Sequence, residues 1–135
     1  MPGPDPAHWL HRLTAVEWLA AAATELAHAE TAAAGHARRA GLAHARRAAG
    51  MAWNAVLVDH PDERAGRSYM EHVVALCDDP AAPDGVRAAA RELKDASMSR
   101  PPLVTLAPPG AGPDMATVRA ARTIFEHARR VVTPS

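Results

Sequence analysis

The stretch Leu42-Ala43-His44-Ala45-Arg46-Arg47-Ala48-Ala49-Gly50-Met51-Ala52-Trp53-Asn54-Ala55-Val56 decides the fold class. Within it Leu42, Ala45, Ala49, Ala52 and Val56 recur at the three-and-four spacing of one α-helix face, and Asp59-His60-Pro61-Asp62 supplies the break. Toward the N-terminus, Asp5 is a good N-cap with Pro6 at the first helical position. Trp9, Leu13, Val16, Ala20, Ala23 and Ala27 then give the same spacing up to Gly35. Toward the C-terminus the pattern returns in Tyr69, Val73 and Leu76, in Val86, Ala89, Leu93 and Ala96, and in Val118, Ala121, Phe125, Ala128 and Val132. Helices are therefore expected over 6–34, 36–58, 67–77, 85–98 and 114–132. The segment 99–113 holds five prolines and two glycines, which no continuous helix tolerates, and reads as an ordered connection. No alternating strand pattern competes, because Ile, Tyr and Phe occur once each. The expectation is an all-α, up-and-down bundle of four or five helices in a single domain over 1–135.

Composition limits what such a bundle can do. Fifteen basic and fifteen acidic residues leave the chain formally neutral, which argues against a sequence-blind electrostatic grip on nucleic acid or acidic lipid. Thirty-three of the 65 hydrophobic residues are Ala, so the core is thin and a homodimer is the first expectation. Ala45, Ala48, Ala49, Gly50 and Ala52 make the second helix smooth enough for close packing, either against helix one or across a dimer seam. Trp9, Trp18 and Trp53 read as core or interface anchors. The start of the chain lacks a basic segment followed by an apolar run, and no membrane span is readable. A single cysteine, Cys77, cannot close an internal disulfide, which suits the cytoplasm; it reads as a half-buried helix residue rather than a nucleophile.

Charge is segregated despite the neutral sum. Residues 31–58 carry four Arg and no acid, and residues 59–79 carry six acids against Arg64 and Arg67. The two stretches either face each other or solvent, or Arg38, Arg39, Arg46 and Arg47 form an anion-binding stripe. Base-stacking aromatics are absent from that stripe, which weakens its RNA version.

The order and texture of the segments resemble the HEPN domain family of small helical bundles. Val16-Glu17-Trp18-Leu19-Ala20-Ala21-Ala22-Ala23 is similar to the Trp-bearing, Ala-rich first helix of many members, and His44-Ala45-Arg46-Arg47-Ala48-Ala49 to the second. Gly66-Arg67-Ser68-Tyr69 stands where members often have Gly-His-Asp-Leu, and Arg100-Pro101-Pro102 where many have Arg-Tyr-Pro. The resemblance implies four or five antiparallel helices and a symmetric dimer. It leaves two activities open: a binding or assembly module for RNA, a nucleotide or a partner protein, or a metal-independent endoribonuclease of the toxin–antitoxin kind with an Arg and a His four to six residues apart.

That motif is short. Random placement of 14 Arg and 8 His yields about two to three matches, and the chain shows four. They are Arg38 and Arg39 with His44, Arg67 with His72, and Arg122 with His127. A His can move the 2′-hydroxyl proton and an Arg can hold the phosphate, so Arg67/His72 and then Arg122/His127 are the candidate catalytic pairs. Arg100 has no His at the required distance.

A metal reading starts from Glu25-Leu26-Ala27-His28, whose spacing puts a carboxylate and an imidazole on one helix face, as in di-iron bundles. On that model a second copy and two further carboxylates are needed. His8 and His11 are one turn apart and could chelate weakly, whereas His28, His36 and His44 are eight apart and are not expected to share an ion. No Gly-rich phosphate loop, zinc Cys cluster or nucleophile elbow is present, and no cofactor is expected.

Overall fold

Thr14 and Glu17 set the start of the first helix. The Thr14 hydroxyl accepts from the Glu17 backbone N–H, and the Glu17 carboxylate accepts from the Thr14 N–H, a reciprocal cap that satisfies two otherwise orphaned donors. The computed structural model describes residues 9–96 and 113–133. Within them lie α1 (Ala15–Ala34), α2 (Arg38–Asp59), α3 (Tyr69–Cys77), α4 (Asp84–Asp95) and α5 (Pro113–Val132), with 3-10 turns at Leu10–Arg12 and Glu63–Ala65. The protein is all-α, and the arrangement is compatible with an up-and-down bundle. No described helix is long and apolar enough to cross a membrane.

The first helix is shorter than the periodicity suggests, because the chain leaves the 3-10 turn extended at Leu13 and re-enters helix only after Thr14. The proposed cap at Asp5 and Pro6 lies outside the described residues, as does nearly all of the 99–113 connection. The face also differs. Helix α1 buries Ala15, Trp18, Leu19, Ala22, Leu26, Ala29 and Ala33, whereas Val16, Ala20, Ala23 and Ala27 of the expected core series are exposed. Three large side chains, Trp18, Leu19 and Leu26, outweigh the alanines in choosing which side faces inward. Trp18 also ties the preceding turn down, its indole N–H donating to the Leu10 carbonyl at 2.7 Å.

Helix α2 touches each of the other four helices. Ala45, Ala48, Ala49, Ala52 and Ala55 are fully buried, so the smooth stretch packs inside the subunit and not on a free seam. At Gly50 the approach is closest: a Cβ there would stand 2.2 Å from the Cβ of Tyr69 at the start of α3. One core cluster draws on all five helices, including Leu26, Leu42, Leu76, Leu93 and Ile124. A second joins Trp18 and Leu19 to Val56 and Ala128.

Residues 35–37 connect α1 and α2 so tightly that His36 takes φ 61°, a left-handed conformation unusual for a residue with a Cβ. The two helices therefore form an antiparallel hairpin centred near residue 36. This geometry positions the polar cluster described next.

Candidate functional site

Glu25 and His28 lie one turn apart on α1, and the hairpin brings His44 of α2 opposite them. The His44 Nδ1 is 2.6 Å from the Glu25 Oε2, and the His28 and His44 ring centroids are 5.2 Å apart in an edge-on arrangement. One ligand atom from each of the three residues lies within 4.8 Å of the other two. Arg47, one turn beyond His44, donates to the other Glu25 oxygen at 3.4 Å. The Glu25 carboxyl is held below its ordinary value: burial pushes it up, but the His44 and Arg47 contacts together outweigh that. Glu25 is thus an anionic carboxylate at the seam of two helices, with one oxygen toward Arg47 and the other toward the imidazoles.

His44 was not expected here, because the eight-residue spacing of His28, His36 and His44 invites measurement along a helix. In a hairpin turning at His36, residues 28 and 44 are equidistant from the turn, as are 25 and 47, and they meet across it. His36, at the turn, does not belong to the cluster.

The candidate catalytic pairs are placed differently. Arg67 is exposed in the turn before α3, and His72 is fully buried. The His72 Nδ1 sits 2.8 Å from the Ala65 carbonyl and its Nε2 2.6 Å from the Asn54 Oδ1, while Trp9 stacks on the ring with centroids 6.1 Å apart. Burial lowers its pKa, overcoming the upward pulls of the Ala65 carbonyl and Glu71, so the ring is neutral and can donate only once. Both ring nitrogens face acceptors, and Asn54 Nδ2 is buried without a partner. Turning the amide over resolves the clash of acceptors at Nε2: Nδ1–H of His72 donates to the Ala65 carbonyl, and Nδ2 of Asn54 donates to Nε2. His72 is then wholly engaged in joining α2 to α3.

Arg67 lines a cavity of about 470 Å³ together with Trp9, Leu57 and the carboxylates of Asp62, Glu63 and Glu71. Three acids against one Arg are the wrong balance for a phosphate. In α5, Arg122 forms an ion pair with Glu30 of α1, and His127 stacks on Trp53 with centroids 6.0 Å apart. His127 is held low by burial and by Arg130. Each member of that pair is therefore committed to a different helix.

The proposed Arg stripe is divided in the same way. Arg46 donates from Nε to the Leu93 carbonyl at 3.0 Å and from its guanidinium to the Ala96 carbonyl at 2.9 Å, closing the C-terminus of α4. Arg47 serves Glu25, and Arg39 is exposed. Cys77 is buried more deeply than the sequence suggests, and burial pushes its thiol up, away from the reactive range.

A further feature is the outer side of α1. Val16, Ala20, Ala23, Ala27 and Ala34 are exposed and fall within an arc of about 60° at 100° per residue. Val16 is 64% exposed, the most exposed large hydrophobic residue among those described. Thr24 and Thr31, beside the stripe, turn their hydroxyls back onto the Ala20 and Ala27 carbonyls, so the surface presents few free polar groups.

Comparison with known proteins finds no matching family model, no matching curated protein and no matching solved structure.

Proposed function

We propose that the protein is a non-catalytic assembly module that pairs with a second copy of itself through the outer face of α1. The observation that carries this reading is the apolar stripe Val16, Ala20, Ala23, Ala27 and Ala34. A solvent-facing helix side ordinarily carries Lys, Arg, Asp and Glu, whereas this one carries Val16, Ala20, Ala23 and Ala27 at alternating four- and three-residue steps, with Ala34 two turns further on. Flanking acids are already engaged, Glu17 in the Thr14 cap and Glu30 with Arg122. Small residues at that spacing let two identical helices approach closely, and a two-fold axis matches the same stripe on both copies.

The reading agrees with the dimer that the HEPN resemblance implies and does not take over that family's ribonuclease chemistry. What favours assembly over catalysis is the commitment of His72 to Ala65 and Asn54, and of Arg122 and His127 to separate helices. The test is the mass of the full chain by light scattering on a sizing column. A species of twice 14.3 kDa is expected, and a monomer at all accessible concentrations contradicts the proposal. Incubation with an RNA pool in chelator is expected to leave the RNA intact.

A further inference from the structure

We propose that Glu25, His28 and His44 form a binding site for a single divalent transition-metal ion of the zinc class, which staples α1 to α2. The site is independent of the self-association proposed above and uses the flank of α1, not its apolar stripe.

Two imidazoles and one carboxylate are the donor set of many Zn²⁺ sites with three protein ligands, and the same set binds Co²⁺. Hard cations such as Mg²⁺ and Ca²⁺ prefer all-oxygen surroundings, which this cluster lacks. The ligand atoms already lie within 4.8 Å of one another, and tetrahedral Zn²⁺ with N and O ligands needs about 3.4 Å between them. The contraction falls on His28, which is exposed and would exchange its edge-on contact with His44 for the metal bond, while Glu25 and His44 are already in contact across the hairpin.

Each partner has a defined part. Glu25 offers Oε2, and Arg47 remains on Oε1 as the outer hydrogen-bond donor that orients a ligating carboxylate. His28 closes the site from the solvent side, and the remaining coordination position opens to water. Binding exchanges the Glu25–His44 hydrogen bond for two bonds to the ion, so the metal replaces a proton between the two helices. This differs from the di-iron pattern suggested by Glu-x-x-His alone: the third ligand comes from the next helix, and one subunit completes the set.

The experiment is a Co²⁺ titration of the chelator-stripped full chain, read by the visible absorption of low-symmetry Co²⁺, followed by Zn²⁺ displacement. One equivalent is expected to produce the absorption, and Zn²⁺ to abolish it. His28→Ala is expected to weaken Co²⁺ binding at least tenfold, and Glu25→Gln likewise. His28 is exposed, so His28→Ala keeps the fold, and far-ultraviolet circular dichroism confirms that before titration. The control His11→Ala with His36→Ala removes imidazoles outside the cluster and is expected to bind like the parent. Absence of the Co²⁺ band in the parent, or equal affinity of parent and His28→Ala, overturns the proposal. Light scattering on the same samples is expected to give the same mass with and without metal, which separates this result from the self-association reading.

Discussion

Asn54 on α2 and His72 on α3 meet at 2.6 Å with both side chains fully buried, and they make a polar link between those helices. A buried polar pair of this kind fixes register, because any slip leaves several groups unpaired. His72→Ala strands both Asn54 and the Ala65 carbonyl and opens a cavity. It is expected to cost about 2–4 kcal/mol in urea unfolding. Long-range nitrogen correlation spectra are expected to show the Nδ1–H tautomer; protonation at Nε2 would contradict the turned amide.

The same burial gives stability a pH dependence of fixed sign. His72 is held below its ordinary value of 6.5, so the unfolded chain takes up the proton first as pH falls. The contribution is fully present above about pH 6.5 and is lost progressively below it, toward the lower folded value. His127 acts in the same direction. Urea midpoints measured from about pH 7.5 down to about pH 5 are expected to decline, with a shallower decline in His72→Gln.

Two glycines on helices are expected to respond to Ala with opposite signs. At Gly50 a Cβ would lie 2.6 Å from the Tyr69 Cα, so backbone must move, and Gly50→Ala is expected to cost about 2–3 kcal/mol. At Gly85, in the first turn of α4, nothing lies within 4 Å, and Gly85→Ala is expected to stabilise by about 0.5–1 kcal/mol. Thermal unfolding of the two variants checks both.

Arg46 and Arg39 separate structural from surface roles within one basic segment. Arg46→Ala removes the donors that close α4 and is expected to destabilise by about 1.5–3 kcal/mol. Arg39→Ala, on an exposed side chain, is expected to stay within about 0.5 kcal/mol of the parent. An equal loss in both variants would contradict the assignment of Arg46.

Much of the fold was legible in the sequence, and the misreadings have physical causes. Leu42, Ala45, Ala49, Ala52 and Val56 are all buried as expected, but α2 is buried well beyond that one face because it packs against all four other helices. Helix α1 has alanines on every side, so periodicity alone could not set its phase; the positions of Trp18, Leu19 and Leu26 hold that information. The Thr14-x-x-Glu17 cap was also present in the sequence and marks the true start of α1 more strongly than Asp5-Pro6. The Glu25–His28–His44 cluster depends on the turn at His36. Its signal was the symmetric spacing of histidines about Gly35-His36, which carries meaning only once a hairpin is assumed. Nothing local marks Asn54 as the partner of His72, because their 18-residue separation is closed by tertiary packing.

The outer face of α1 is tested most directly by sedimentation equilibrium of the parent beside Ala23→Glu and Val74→Glu. Ala23 is exposed in the middle of the stripe, and Val74, 46% exposed, lies on α3 away from it. With circular dichroism showing all three folded, the parent and Val74→Glu are expected to sediment as dimers and Ala23→Glu as a monomer. A parent that is monomeric, or an Ala23→Glu chain that remains a dimer, would contradict self-association through this face.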